Sequence, residues 1–383
     1  MNRRAWLVVG LGSIAGWFAC APRKSIPPTT LPLATLLGRS DPTDEFEHAT
    51  ARRTFVFPED HGPHRAFQQE WWYFSGNLAN DAARPFGFQF TIFRFALHRA
   101  ASASLSAWRT QEIFLAHFSI TDVQAATFHR HERLQRASLN LAGASETSRK
   151  IWLKNWQIAP GIAPDSWQIE ANAEGEAIKL DLIPEKPLVL QGQQGLSQKG
   201  AAPGNASYYY SQLRLAAHGR LRSSDGTHHV HGHAWLDREW GTNTLDPAQV
   251  GWDWFGLQFA NQCELMLYRL RRRDGAVDPH NAGTWSAADG TQLALAATDF
   301  TVRVLKRWTS PETRIEYPAG WQIVIAKLAL AFEVRPRSDA QEWNGFIQYW
   351  EGAVSCHGSY ANRPLEGLGY AELTGYNDYY ASR

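Results

Sequence analysis

The chain has 383 residues and sets 38 Lys and Arg against 37 Asp and Glu, so it lacks the basic surplus a nucleic-acid binder needs and nucleic acid is excluded as a partner. Its length suits two domains of ordinary size. The 17 Trp, 19 Phe and 12 Tyr, beside only 2 Met, point to pleated sheets and to pockets for flat or apolar ligands, because these rings serve both.

In chain order, Arg3 and Arg4 precede an apolar run over residues 6–19 and then Cys20, the charged start and apolar middle of an export signal. That run is shorter than a bilayer crossing requires. A cysteine after a small residue at this point is where a bacterial lipoprotein is cleaved and acylated, although Trp17 and Phe18 stand where a lipobox carries Leu and a small residue. The twin arginine offers export of the folded protein as an alternative. Pro22, Pro27, Pro28 and Pro32 then follow, as in a tether leaving a membrane. Residues 1–20 are therefore expected to be a signal peptide of lipoprotein type and 21–45 a linker. The mature protein is expected on the periplasmic side of the cell envelope, held to the membrane through acylated Cys20.

Beyond the tether nearly every segment carries the two-residue period of a strand. Phe86, Phe88, Phe90 and Ile92 alternate with Gly87, Gln89 and Thr91, which puts the apolar set on one face. Residues 113–120, 151–158, 178–183, 208–215, 265–270, 300–308 and 321–332 read as further strands, with the Ala-rich 328–331 open to a helical reading. Asp225-Gly226, Asp274-Gly275, Asp289-Gly290 and Pro318-Ala319-Gly320 supply the turns between them. Many short strands with regular turns define a sandwich or a barrel.

The chain also repeats itself in order. Trp71-Trp72-Tyr73-Phe74-Ser75-Gly76 returns as Trp252-Asp253-Trp254-Phe255-Gly256, each ahead of a long hairpin. The closings match too: Tyr208-Tyr209-Tyr210-Ser211 leads to Gly232-His233-Ala234-Trp235-Leu236-Asp237, and Tyr349-Trp350-Glu351-Gly352 leads to Gly369-Tyr370-Ala371-Glu372-Leu373-Thr374. A duplicated β-domain is expected, 46–245 and 246–383, divided within 242–251. Cys263 and Cys356 both fall in the second half and are compatible with one disulfide or with two buried thiols.

One strand concentrates the chemistry. Alternation puts His229, His231, His233, Trp235 and Asp237 on one face and Val230, Ala234 and Leu236 on the other. The apolar set can enter a core, leaving the polar face for a cavity or for the contact between the halves. His229 and His231 also have the His-x-His spacing of zinc ligands on a strand, but no third ligand is evident in the sequence. Glu70, beside Trp71 and Trp72, and His64 are candidates for a ligand site or for capping a buried aromatic pair. Ser197 lacks the Gly-x-Ser-x-Gly elbow of a serine hydrolase. No glycine loop precedes a helix to cradle a phosphate, so nucleotides are not expected.

These phrases resemble the AttH/CrtC family, whose characterised branch comprises carotenoid 1,2-hydratases. The resemblance is carried by Glu70-Trp71-Trp72-Tyr73 after His64 and Phe67, and by Gly195-Leu196-Ser197-Gln198-Lys199-Gly200 running into Tyr208. Residues 232–241, 251–258, 349–354 and 367–376 extend it, so it runs from about His64 to Tyr376. It implies an all-β fold of two lipocalin-like antiparallel barrels packed together, and hydration of an isolated double bond in an acyclic carotenoid with no cofactor. Many exported members have no established activity, so membership and function are separate matters.

Hydrating an unactivated alkene needs a strong proton donor, and a carboxylic acid kept neutral by an apolar setting is the natural choice; Asp237, Glu239 and Asp253 are the candidates. The ensuing carbocation can be stabilised by the π-face of Trp235, Trp252 or Trp254, and His233 is the candidate base for the incoming water. The resemblance carries the His-x-Trp pair onto His233 and Trp235, and the later aromatic and acid onto Trp252 and Asp253. His64, Glu70, Trp71, Trp72, Trp254 and Tyr349 are the candidate ligand-binding residues.

Three functions are thus in play. The first is a cofactor-free hydratase, lyase or isomerase acting on an isoprenoid-like substrate. The second is a non-catalytic envelope lipoprotein that binds lipid, beside an ABC-type transporter. The third is a secreted hydrolase, which would need an activated nucleophile or a metal.

Overall fold

The computed structural model describes residues 31–32, 45–99, 106, 109–243 and 245–377. The expected signal peptide with Cys20, and most of the expected linker, lie outside them. Apart from two single-turn 3-10 helices, the named elements are all β-strands. They form two curled sheets, the first built from strands between Gln69 and Gly241 and the second mainly from strands between Gln249 and Thr374. The pair Leu31–Pro32 runs parallel to Ile347 and Gln348 in the second sheet.

Both sheets have the same plan. In the first half the opening strand Gln69–Asn80 pairs antiparallel with the closing strand Gly226–Gly241; in the second, Gln249–Phe259 pairs with Arg363–Thr374. Outward on one side follow Pro85–Ala96, Glu112–Asp122 and Thr127–Arg136, matched by Glu264–Arg272, Ala282–Ser286 and Gln292–Ala296. On the other side lie Ala206–Ser223, Glu176–Pro184, Trp167–Ala173 and Trp156–Pro160, matched by Ile347–Tyr360, Leu330–Pro336, Glu316–Ile325 and Thr301–Thr309. The duplication is therefore visible in connectivity as well as in sequence.

The first sheet curls almost to a barrel. Its terminal strands are not paired with each other in the sheet order, and side chains bridge the gap instead: Arg133 reaches the Asn172 carbonyl at 3.0 Å and His131 the Glu176 carboxylate at 3.1 Å. Its interior is filled by Trp72, Phe74, Phe86, Phe88, Phe90, Ile92 and their neighbours, the alternating set of the sequence. Phe255, Leu257, Trp321, Trp350 and others fill the second. A third cluster, with Tyr73, Tyr209, Trp235, Trp254, Tyr268 and Tyr370, joins the two halves. They approach so closely that a Cβ on Gly87 would lie 2.7 Å from the Cβ of Ala353.

Several local expectations change. The 151–158 segment is a hairpin, Ile151–Leu153 and Trp156–Pro160, turning through Lys154 at φ 54°. Residues 321–332 are likewise broken by the 3-10 turn Ala326–Leu328 and by Ala329 at φ 46°, so the Ala-rich stretch is a hairpin turn rather than an α-helix. Pro318-Ala319-Gly320 lies inside the Glu316–Ile325 strand, opposite a bulge at Lys306, where a residue without a donor is tolerated. Cys263 and Cys356 are separate buried thiols, both in the second core, and burial pushes both upward in pKa.

Candidate active site between the two halves

The Gly226–Gly241 strand sorts its faces as alternation requires. Val230, Ala234 and Leu236 enter the first core. On the opposite face His229 and His231 are exposed and His233 is partly so, whereas Trp235, Asp237 and Glu239 are buried. A strand rises about 3.3 Å per residue, so Asp237 stands roughly 13 Å beyond His233. His233 consequently belongs to a different place, an open polar cleft shared with Glu185, Lys186, Arg214, Gln258 and His357. Its Nε2 is 3.2 Å from Glu185 Oε2, and burial with the nearby Arg214 charge lowers its pKa. Among the described residues no three His, Cys, Asp or Glu side chains gather as metal ligands.

Asp237 opens onto a cavity of about 80 Å³ between the sheets rather than inside either barrel. The first half contributes Trp71, Tyr73, Gln89, Thr91, Phe93, Tyr209, Lys199 and Glu239; the second contributes Trp252, Trp254, Tyr268, Tyr349, Glu351 and Glu372. The walls are thus mainly aromatic, with four carboxyl groups set into them.

The two best-defined acids differ in their partners. Asp237 Oδ1 accepts from Ser211 Oγ at 2.5 Å and from Trp235 Nε1 at 2.7 Å, and Oδ2 accepts from the Tyr209 hydroxyl at 2.6 Å. Burial nevertheless pushes Asp237 up to about 7, against the pull of those three donors. Glu351 is also buried, and burial pushes it up to about 8. The Tyr73 and Tyr349 hydroxyls beside it pull the other way. Burial, and then the charge of Glu351, hold Glu372 well above the usual carboxylate range. At neutral pH the cavity therefore holds at least one protonated carboxylic acid beside aromatic faces.

Lys199 balances Glu239. Its Nζ is 3.3 Å from Glu239 Oε1 and 4.1 Å from the centroid of the Tyr268 ring, while Ser207 Oγ donates to the same carboxylate oxygen. Ser197 Oγ lies 3.3 Å from the Tyr268 hydroxyl, with no histidine in that contact to activate it.

Of the residues singled out in the sequence, Asp237, Trp71, Trp252, Trp254 and Tyr349 line this cavity, and Trp235 supports it through Asp237. Others point away. Asp253 lies on the reverse face of its strand, bonded to Arg269 at 2.5 Å, Arg271 at 3.1 Å and the Tyr376 hydroxyl at 2.8 Å. Trp72 is in the first core and donates Nε1 to the His61 carbonyl at 2.9 Å. Glu70 is enclosed between Arg94 and Arg238, and His64 stacks on Trp240 at 3.7 Å while reaching Asp60 at 2.9 Å. Glu351 and Glu372 served in the sequence only as marks of the repeat. A carboxylate on the cavity face of an otherwise buried strand is the signal that finds them.

A curled, nearly closed sheet packed on a half-closed copy of its own plan, with an acid-bearing aromatic cavity at the seam, defines a two-domain lipocalin-like protein. The chain belongs to the AttH-like family, whose model matches residues 48–376. It is similar to an AttH protein of Nitrosomonas europaea, with 29% identity and a TM-score of 0.77 over 86% of this chain and 100% of that one. Kievitone hydratase of Nectria haematococca shares the fold at 15% identity and a TM-score of 0.65, over 87% of this chain and 99% of that one. CghA does so at 14% identity and a TM-score of 0.50, over 86% and 96%. No curated protein matches the sequence.

Proposed function

We propose that the protein is a hydratase or lyase of an unsaturated, isoprenoid-like substrate bound in the cavity between the halves, with its own carboxyl groups supplying acid and base. The observation that carries this reading is the pair Glu351 and Asp237, two buried carboxyls with raised proton affinity facing one aromatic cavity. Protonating an unactivated alkene calls for a positioned acid that keeps its proton at neutral pH, in a site that excludes bulk water.

Glu351 is the better donor. Its carboxyl has the Tyr73 and Tyr349 hydroxyls beside it, whereas the two Asp237 oxygens already accept from three donors. Glu351 gives its proton to the less substituted alkene carbon, the π electrons form that C–H bond, and the other carbon becomes a tertiary cation. The faces of Trp71, Trp252 and Trp254 stabilise it without bonding to it. Water adds to the cation and its surplus proton passes to the Asp237 carboxylate. Return of one proton to Glu351 and loss of one from Asp237 complete the cycle. The fold neighbour kievitone hydratase supports the reaction class by name only.

The apolar run before Cys20 and the prolines after it support export to the periplasmic side of the envelope with a lipid anchor. They also favour a second reading, a non-catalytic lipid-binding lipoprotein beside an ABC-type transporter. Native mass spectrometry with lipid extraction, on full-length protein from its own envelope fraction, separates the two. An unsaturated isoprenoid that wild type converts to its hydrate and Glu351→Gln leaves intact supports the hydratase; a bound lipid recovered unchanged from wild type supports the carrier.

A further inference from the structure

The acid proposed above, Glu351, is only 1% exposed, and besides the cavity it has a contact route to solvent through protein groups. Tyr349, two residues before it on the same strand and lining the same cavity, is with Tyr73 one of the two hydroxyls that interact with that carboxyl. The same hydroxyl is 2.7 Å from Nδ1 of His117, a fully buried residue on the Glu112–Asp122 strand of the other half. His117 Nε2 is in turn 3.0 Å from Glu132 Oε2, and the Glu132 side chain is 23% exposed. We propose that Tyr349, His117 and Glu132 form a proton relay that connects the Glu351 carboxyl to solvent across the contact between the two halves.

The surroundings fix the relay in line. The His117 ring stacks on Trp343 at 4.3 Å and meets Phe93 edge-on at 5.7 Å, which prevents it from turning away. Glu132 also accepts from the Phe346 backbone N–H at 2.9 Å. Burial works against the Glu132 charge, but His117 and the backbone donors hold it below its ordinary pKa, so it rests as an acceptor for imidazole. From that resting state, with Nε2–H donated to Glu132, release runs outward: the Glu351 proton passes to the Tyr349 oxygen, the phenol proton passes to Nδ1 of His117, and Nε2–H passes to Glu132 and on to water. One proton moves outward, Tyr349 is unchanged, and His117 is left with its proton on Nδ1; the reverse sequence carries one proton back to Glu351 and returns the imidazole proton to Nε2. These three are positioning residues, because none of them needs to touch the substrate.

The inference rests on the reading of Glu351 as the cavity acid, and its test needs no substrate. In the full chain, the infrared band of the protonated Glu351 carboxyl, assigned by its loss in Glu351→Gln, is followed after a rapid pH jump. Tyr349→Phe, His117→Gln and Glu132→Gln are expected to slow its exchange by roughly ten-fold or more while a protonated band remains at equilibrium. A purely structural role would lower thermal stability and leave the exchange rate unchanged. Exchange as fast as wild type in Tyr349→Phe and Glu132→Gln overturns the relay even if His117→Gln fails to fold, and leaves the acid standing. Absence of the band in wild type at pH 7 overturns the acid, and the relay with it.

Discussion

Glu351 and Glu372 are direct cross-strand partners, and both side chains face the cavity between the halves. Like charges opposite one another on a sheet repel, and here water is scarce enough to do little screening. The arrangement is tolerable only with a proton on at least one of them, which agrees with the upward shift of both.

Stability should carry the signature of those protons. A carboxyl with a folded pKa near 8, against about 4.3 in the unfolded chain, keeps the folded state more protonated than the unfolded one between those values, so stability falls as pH rises through that window. Asp237, near 7, adds to the same fall. Glu351→Gln keeps the shape and removes the titration. By calorimetry it should lose less stability than wild type between pH 5 and 9, by about 1 kcal/mol or more, since each pKa unit is worth about 1.4 kcal/mol.

Asp237→Asn should behave differently, because the aspartate accepts from three donors. An amide presents its NH2 to at least one of them, leaving a buried clash of donors. A loss of about 1 to 3 kcal/mol in urea unfolding at pH 7 is expected, together with a fall in turnover.

Glu70 is placed for structure. It is fully buried between Arg94 and Arg238, whose charges hold its carboxyl well below the ordinary range despite burial. Glu70→Gln leaves the buried Arg238 without its counter-charge and Arg94 with Glu112 alone, and should cost about 3 to 5 kcal/mol in denaturant unfolding.

His233→Ala distinguishes the two clefts. His233 is 45% exposed in its side chain and paired with an equally open Glu185, so its removal should change stability by less than about 0.5 kcal/mol. It should also leave turnover near that of wild type, whereas Glu351→Gln should lower turnover by about two to four orders of magnitude.

The fold was legible because alternation is a local signal: Phe86, Phe88, Phe90 and Ile92 enter one core just as their spacing requires. The faces of the 226–241 strand were legible for the same reason, and Asp237 lies where its face predicts. Distance along the strand was not legible. Residues that share a face can serve different clefts when the strand is 16 residues long, and this separates His233 from Asp237. Trp252 and Asp253 show the converse, since neighbours in sequence point to opposite faces. Glu351 and Glu372 became visible as a pair only through the pairing of two late strands, and the Tyr349–His117–Glu132 chain only through contact between the halves, which no single segment encodes.

Turnover in 18O-labelled water tests the account most directly, with an acyclic carotenoid and a prenylated phenol as probes, each carrying an isolated trisubstituted double bond. The account predicts an alcohol containing one labelled oxygen from wild type on at least one probe, and almost none from Glu351→Gln, whose fold is retained. Undiminished product from Glu351→Gln, or no labelled product from wild type on either probe, would contradict it.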